Sequence, residues 1–402
     1  MSTDIYIFNS TCEMEVANGS KTYDPKARFV DFSNELSFLP IVFSKSDDII
    51  ISDNTPSVEF IKIINKTPLE LPNFSTIQDI KTDSLYLKPW GWSPLMHQKL
   101  SKLKPFCSSV FKNSPNWEWN KEQKCLYSRA TALNILKDIL NTENKILIPF
   151  HEIPIICKTQ YEVEEIVKLG KKLILKSPWS SSGRGQQTVQ PNQLSQTTKQ
   201  WLKGILRTQG FVMVEYFREK VLDTSLHFEV TNSGITFHGF NAFKTDEKGQ
   251  YIGNYINPQN HSEITKHLSV LKNEITQNNL IEIIIQALQR SIFPKYYRGV
   301  IGIDVLIYKN ENGEIKINPC MEINCRHTMG TVALAIEKHT NKNSKGMFFV
   351  TKNKDNKLYN FHLEQLLNNP IKVHNNKIIS GYIPLTDINI NSKHHAWVEI
   401  ID

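Results

Sequence analysis

Three oxygen-bearing side chains stand close together around one turn of this chain. Asp304 interrupts the apolar run 299–307, Gly-Val-Ile-Gly-Ile-Asp-Val-Leu-Ile. A carboxylate in such a strand is costly unless it is paired or bound to a cation. Glu322 and Asn324 lie two apart in 320–325, Cys-Met-Glu-Ile-Asn-Cys, so a strand presents both on one face. Between the two runs, Asn310-Glu311-Asn312-Gly313 reads as a hairpin turn. That hairpin brings Asp304 opposite the Glu322 region to within about one residue of register. Two carboxylates and an amide carbonyl make a hard-oxygen set, which suits Mg²⁺ completed by phosphate oxygens and water. The alternative is a solvent-facing Glu/Asn pair, with Asp304 held by a lysine. All three on one hairpin favour the metal.

A second stretch suits the phosphates. The apolar run Leu173–Leu175 ends in Lys176, and Ser180, Ser181, Ser182, Gly183, Arg184 and Gly185 follow. A strand-end lysine supplies a point charge, and a loop with few side-chain obstacles lets backbone N–H groups approach phosphate oxygens. It is not a P-loop: G-x-x-x-x-G-K-[ST] is absent, and Gly19-Ser20-Lys21-Thr22 lacks the Gly-Lys pair. Taken alone, the stretch also fits an ordinary Ser/Gly loop.

The elements that must position these groups follow from periodicity. At the start, Ile5–Phe8 and Ile49–Ile51 read as strands. Lys26–Leu39 and Val58–Ile64 read as helices, the second entered through Pro56 and Ser57. Strand and helix alternating at this spacing predict a small α/β domain with a parallel sheet. Trp90, Trp92, Trp117 and Trp119 crowd a Pro-rich segment with few basic residues, so they read as packing between domains. Helices are predicted at Arg129–Leu140, Glu162–Leu169, around Thr197–Leu206, within Leu268–Phe293 as one long helix, and at Gly330–His339. Strands are predicted at Phe211–Phe217, Val221–Val230, Gly234–Phe243, Val300–Tyr308, Glu314–Asn324 and His395–Ile401.

Bulk properties narrow the class. A chain of 402 residues has room for two or three domains. Hydrophobic residues at 40% and charged ones at 22% describe an ordinary globular protein. The net charge of +7 suits anionic ligands such as nucleotides. No dense Lys/Arg run with interleaved aromatics appears, which argues against nucleic acid. No apolar run approaches the ~20 residues needed to span a bilayer, and no secretory signal is visible. The six cysteines form no C-x-x-C pair. Free thiols in a reducing cytoplasm are expected.

Together these residues resemble the ATP-grasp superfamily. Ile155–Gly185 is similar to its leading segment, helix, lysine strand and glycine-rich flap. Phe211–Phe217, Phe-Val-Met-Val-Glu-Tyr-Phe, is similar to its hinge strand. Gly299–Asp304 and Glu322-x-Asn324-x-Arg326 are similar to its magnesium signatures. Order and spacing agree over about residues 128–340. The resemblance implies an α/β (α+β) ATP-grasp fold preceded by an N-terminal α/β domain. The implied divisions are 1–125 for that domain, 126–210 for the small lobe, 211–345 for the large lobe, and 346–402 for a C-terminal extension packed on the large lobe.

The same resemblance implies roles. Lys176 contacts the α/β-phosphates, and Ser182, Gly183, Arg184 and Gly185 close over them. Glu215 meets the adenine amino group, with backbone near Phe217 reaching the ring, and Asp223 holds the ribose. Asp304, Glu322 and Asn324 hold one or two Mg²⁺, or Mn²⁺. Arg326 stabilises the transferring phosphate. Where the family usually has a lysine on an earlier helix, this chain offers Arg129, which can grip phosphate bidentately. An arginine two residues before the metal aspartate is replaced by Gly302, so the oxyanion contact is assigned to Arg298 or Arg326. His227, His238, Tyr251 and Asn254 are expected to build the acceptor site.

The activity implied is an ATP-dependent carboxylate–amine ligase. A small-molecule or peptide carboxylate would be activated as an acyl-phosphate and attacked by an amine, or less readily a thiol, releasing ADP and phosphate. The alternatives are an ATP-grasp phosphotransferase and a nucleotide-binding module without turnover.

Overall fold

The computed structural model describes residues 2–142, 144–180, 185–246, 250–353 and 357–402. Four short parallel strands open the chain: β1 (Thr3–Ile7), β2 (Ile49–Ile51), β3 (Asn73–Ser75) and β4 (Leu85–Pro89), in the order β3-β2-β1-β4. Helices Cys12–Asn18, Ala27–Glu35 and Val58–Ile64 lie between them. The expected helix over Lys26–Leu39 stops at Glu35, and a 3₁₀ turn follows at Leu39–Val42. Pro40 stands in the first turn of that 3₁₀ segment, where its missing N–H leaves no bond unmade.

A second sheet is antiparallel and small. It contains β5 (Ile155–Cys157), β6 (Leu173–Lys176), β7 (Gln186–Val189) and β8 (Val212–Tyr216), in the order β5-β8-β6-β7. Helices Gln160–Val167 and Gln196–Gln209 cover it. Thr159 and Glu162 close a capping box on the first, and Ser195 caps the second. This lobe has its own core, including Val163, Leu173, Leu175, Leu202 and Val212.

The third sheet has nine antiparallel strands. They are β9 (Glu219–Thr231), β10 (Gly234–Thr245), β11 (Tyr251–Ile256), β12 (Gly299–Lys309), β13 (Ile315–Asn324), β14 (Lys345–Lys352), β15 (Lys372–His374), β16 (Lys377–Pro384) and β17 (His394–Ile401). Their order is β13-β12-β9-β10-β11-β14-β17-β16-β15. The strands after residue 345 therefore continue this sheet through β11 and β14. The single long helix expected within Leu268–Phe293 is two, Ser262–Thr276 and Leu280–Arg290. Asn279 between them has φ +52°, a left-handed conformation that no helix can pass through.

The tryptophans join the first sheet to the third. Trp90 and Trp92 are buried, and the Trp90 carbonyl accepts the His327 N–H at 2.8 Å. Gly91 then bridges to Arg326. A Cβ at Gly91 would come within 2.6 Å of the Cys12 sulfur, so only glycine allows this approach. The end of β4 is thus seated against the segment that leaves β13. Among the described residues, no helix is long and apolar enough to cross a membrane.

Candidate active site

The site grows from the β12–β13 hairpin. Asp304 pairs directly with Glu322, and Gly302 with Asn324. Directly paired residues of an antiparallel ladder share a face, so all three polar side chains point the same way. Asn324 donates its amide to the Asp304 carboxylate at 3.2 Å. Arg326 donates to the Asn324 amide oxygen at 3.0 Å. Burial, with the Glu322 carboxylate beside it, pushes Asp304 up to about 7, while Asn324 and Arg326 pull it down. The register is close enough to oppose the two carboxylates, and a bulge follows between Asp304 and Leu306.

Arg129 closes one side of this set. Ser128 caps its helix, Arg129–Ile139, and holds Arg129 at the first turn. Its guanidinium lies 2.7 Å from Glu322. It also donates to the Ser177 carbonyl and the Ser180 hydroxyl, each at 3.1 Å. At the base of the same loop, the Ser177 N–H donates to the Gly185 carbonyl at 2.8 Å. Gly185 has φ +74°, and a Cβ there would clash with the Ser177 hydroxyl. Ser182, Gly183 and Arg184, assigned to the phosphate flap from sequence, lie outside the described residues.

Lys176, at the end of β6, forms a buried ion pair with Glu215 of β8 at 2.6 Å. The ladder places Lys176 opposite Met213 and Ile174 opposite Glu215, so the lysine reaches along its face. Glu215, expected to wait for adenine, is thus occupied by Lys176. Phe217 gives its N–H to the Lys172 carbonyl at 2.9 Å, which leaves that donor unavailable to an adenine ring. Its ring is half-exposed beneath the Lys172 ammonium, 3.7 Å from the centroid. Asp223 pairs with Lys220 at 2.7 Å and accepts from Thr245 at 3.3 Å. Its charge still reaches Asp304, one of the influences raising that carboxyl.

One expectation is corrected. Arg298 is not at the site. It precedes β12, six residues before Asp304, which is about 20 Å along an extended strand. Its guanidinium is consumed by Asn232 and by the carbonyls of Pro294 and Tyr297. The expected acceptor residues lie on the adjacent strands β9, β10 and β11. His227 lies beside Gly302 on the carboxylate face but is 1% exposed, sealed under Gly330. Burial and the nearby His238 and His327 push its pKa down to about 3. His238 sits at a bulge of β10 and meets Glu229 at 3.2 Å. Tyr251 and Asn254 bond to each other, and Asn254 also bonds to Asn241. His227 and Asn254 are thus closed off, whereas His238 and Tyr251 are exposed.

One contributor was missed. Glu13, on the Cys12–Asn18 helix, pairs with Arg326 at 3.0 Å, and both side chains are largely buried. The N-terminal sheet therefore reaches the carboxylate cluster through a charge. The signal in the sequence was an acid pair, Glu13 and Glu15, just past the first predicted strand. Ligands gather at such carboxyl ends of parallel strands.

The donors fit a divalent cation. Asp304, Glu322 and Asn324 offer hard oxygens on one face, and among the described residues the carboxylate of Asp304 has the Asn324 amide as its hydrogen-bond partner. Among the described residues no group of three or more His, Cys, Asp or Glu could hold a metal by itself. A cation here would need oxygens from a ligand to fill its shell.

No protein-family model matches the chain, and no curated protein matches it. Solved structures do. The N5-carboxyaminoimidazole synthetase from Staphylococcus aureus is 11% identical over 100% of this chain and 94% of its own, with a TM-score of 0.50. A biotin carboxylase–β,γ-ATP complex from Campylobacter jejuni is 12% identical over 100% and 87%, with a TM-score of 0.50. The biotin carboxylase domain of Hydrogenobacter thermophilus 2-oxoglutarate carboxylase, with MgADP, ADP and bicarbonate, is 9% identical over 99% and 86%, also at 0.50. With its parallel N-terminal sheet, its small antiparallel lobe and its large sheet carrying the Asp304–Glu322 pair, this chain has the α+β ATP-grasp fold.

Proposed function

We propose that the protein is an ATP-dependent ligase that joins a carboxylate to an amine. The observation that carries this reading is the direct pairing of Asp304 with Glu322, with Asn324 on the same face and Arg129 and Arg326 flanking it. With a divalent cation held by the two carboxylates, such a face would neutralise a polyphosphate. The structural neighbours support the nucleotide and the cation, since one is a complex with β,γ-ATP and another contains MgADP.

In this reading Asp304, Glu322 and Asn324 would hold Mg²⁺, which supplies charge neutralisation for the phosphates. Lys176 would leave Glu215 for the α/β-phosphates, and Arg129 would turn from Glu322 toward phosphate oxygens. Arg326, kept in place by Glu13, would face the charge that develops as the γ-phosphoryl group moves. A substrate carboxylate oxygen bonds to the γ-phosphorus and ADP leaves. The amine nitrogen then bonds to the acyl carbon, phosphate leaves, and the nitrogen loses a proton. Positioning and charge carry this chemistry, and no side chain of the protein forms a covalent bond.

Incubation with Mg·ATP and paired panels of carboxylates and amines tests the proposal. ADP and free phosphate in equal amounts, with a new amide, are expected. A phosphorylated product without free phosphate would make the protein a kinase. Nucleotide binding with no ADP under any pairing would make it a binding module.

A further inference from the structure

Arg326 has a setting that its own strand does not supply. It stands just past the end of β13, and each nitrogen of its guanidinium is directed. Nε meets Glu13 at 3.0 Å, one terminal nitrogen donates to the His327 carbonyl at 3.1 Å, and the other donates to the Asn324 amide oxygen at 3.0 Å. Its backbone meets Gly91 in an isolated antiparallel bridge, beside the bond from the His327 N–H to the Trp90 carbonyl. In a pair of this kind the flanking residues exchange the bonds, so the N–H and carbonyl of Gly91 itself face away from Arg326. Where Gly91 lies therefore decides where the Arg326 backbone lies.

Gly91 is itself past the end of a strand. β1 and β4 are last paired at Ile7 and Pro89, and one more bond follows, from the Trp90 N–H to the Ile7 carbonyl at 2.8 Å. Beyond that point the side chain of Asn9 takes over. Its amide donates to the Gly91 carbonyl at 2.8 Å, and its oxygen accepts the Gly91 N–H at 3.1 Å. A carboxamide carries a donor and an acceptor, as a peptide unit does, so it can stand in for a neighbouring strand. Asn9 is buried. Without it, two backbone groups of Gly91 would lose their partners in the interior, which is more costly than the bonds themselves are worth.

We propose that Asn9 is a positioning residue for Arg326. It holds both peptide groups of Gly91 from one side, and Gly91 on its other side seats the segment from which the guanidinium reaches the carboxylate face. That Arg326 meets a γ-phosphate there rests on the ligase reading, while the clasp itself does not.

The test uses the full chain. Calorimetry compares the Mg²⁺ complexes of ADP and of the non-hydrolysable β,γ-imido-ATP, and hydrogen exchange follows the peptide carrying His327. Asn9→Ala should quicken that exchange and weaken the imido analogue about tenfold, with ADP affinity held. Asn9→Asp, which keeps the oxygen and loses the donor, gives the same comparison should Asn9→Ala not fold. Asp387→Ala removes two hydrogen bonds to Ser57 and leaves the clasp alone. It should lower the melting temperature and move neither affinity. In an Arg326→Ala background, adding Asn9→Ala should weaken the analogue no further. Unchanged exchange at His327 overturns the proposal. So does an equal loss of ADP and analogue in Asn9→Ala, or a loss of analogue in the Arg326→Ala background as large as in the wild type. Quickened exchange, with analogue binding that Arg326→Ala leaves untouched, would refute the phosphate role given to Arg326 and leave the clasp standing.

Discussion

The guanidinium of Arg129 lies 2.7 Å from the carboxylate of Glu322. The same guanidinium holds the Ser177 carbonyl and the Ser180 hydroxyl at the start of the Ser/Gly loop. One side chain therefore joins a carboxylate of the hairpin to the loop that follows the lysine strand. Arginine can do this because its fork carries five donors in a fixed plane.

Arg129→Lys should keep the charge and lose the fork. We expect Mg·ADP affinity to fall roughly tenfold, with stability lowered by about 1 kcal/mol for the lost hydrogen bonds. Calorimetry and urea denaturation measure the two quantities. Wild-type affinity in this variant would show that Arg129 serves only the hairpin.

Glu322→Ala removes one of the two opposed carboxylates. The variant should fold, because Glu322 is partly exposed. Its nucleotide binding should lose its dependence on Mg²⁺. Retained Mg²⁺-dependent binding, followed by calorimetry with and without the cation, would remove Glu322 from the metal set.

Lys176 and Glu215 should behave as a unit. Both are buried and 2.6 Å apart, so Lys176→Met leaves an uncompensated carboxylate and should cost about 3–5 kcal/mol. A strand-end lysine read from sequence has no such structural duty; the pairing supplies it. The double variant Lys176→Met/Glu215→Leu should recover most of that stability and still fail to bind nucleotide. Recovery of binding in the double variant would show the pair to be purely structural.

Glu13→Gln should loosen Arg326. The pair is largely buried, and losing the carboxylate should cost about 3 kcal/mol. Glu13→Asp, which keeps the charge on a shorter arm, should restore part of the stability and part of any Mg·ADP affinity lost. If Glu13→Gln leaves nucleotide affinity untouched, the N-terminal helix does not position the site.

Acid should weaken the fold through its buried histidines. Burial pushes His97 and His227 down to about 3, and His327 and His362 to about 4. Each is neutral in the native state and titrates near 6.5 when unfolded. Below about pH 6.5 the unfolded chain therefore binds more protons, and stability falls as pH drops toward the folded pKa values. His97 packs against Trp92, the rings tilted by 33°, and neither ring nitrogen has a partner among the described residues. His97→Phe should flatten the slope between pH 6.5 and 5 by up to about 1.4 kcal/mol per unit. An unchanged slope in denaturation series would mean that His97 is hydrated in the native state.

Local rules in the chain determined much of this. The alternation of apolar residues, the Asn310–Gly313 turn and the two-residue spacing of Glu322 and Asn324 specify the hairpin and its polar face, because strand period and turn chemistry act over a few residues. Lys176 at a strand end and the parallel N-terminal strands were legible for the same reason. Who pairs with whom was decided by tertiary structure. Glu215 meets Lys176 across a ladder, Arg298 turns away to Asn232, His227 is sealed beneath Gly330, and Glu13 arrives at Arg326 from more than three hundred residues away in sequence. Those partnerships depend on strand register, on the close approach allowed by Gly91, and on which buried charges remain uncompensated. None of these is expressed in the residues next to them.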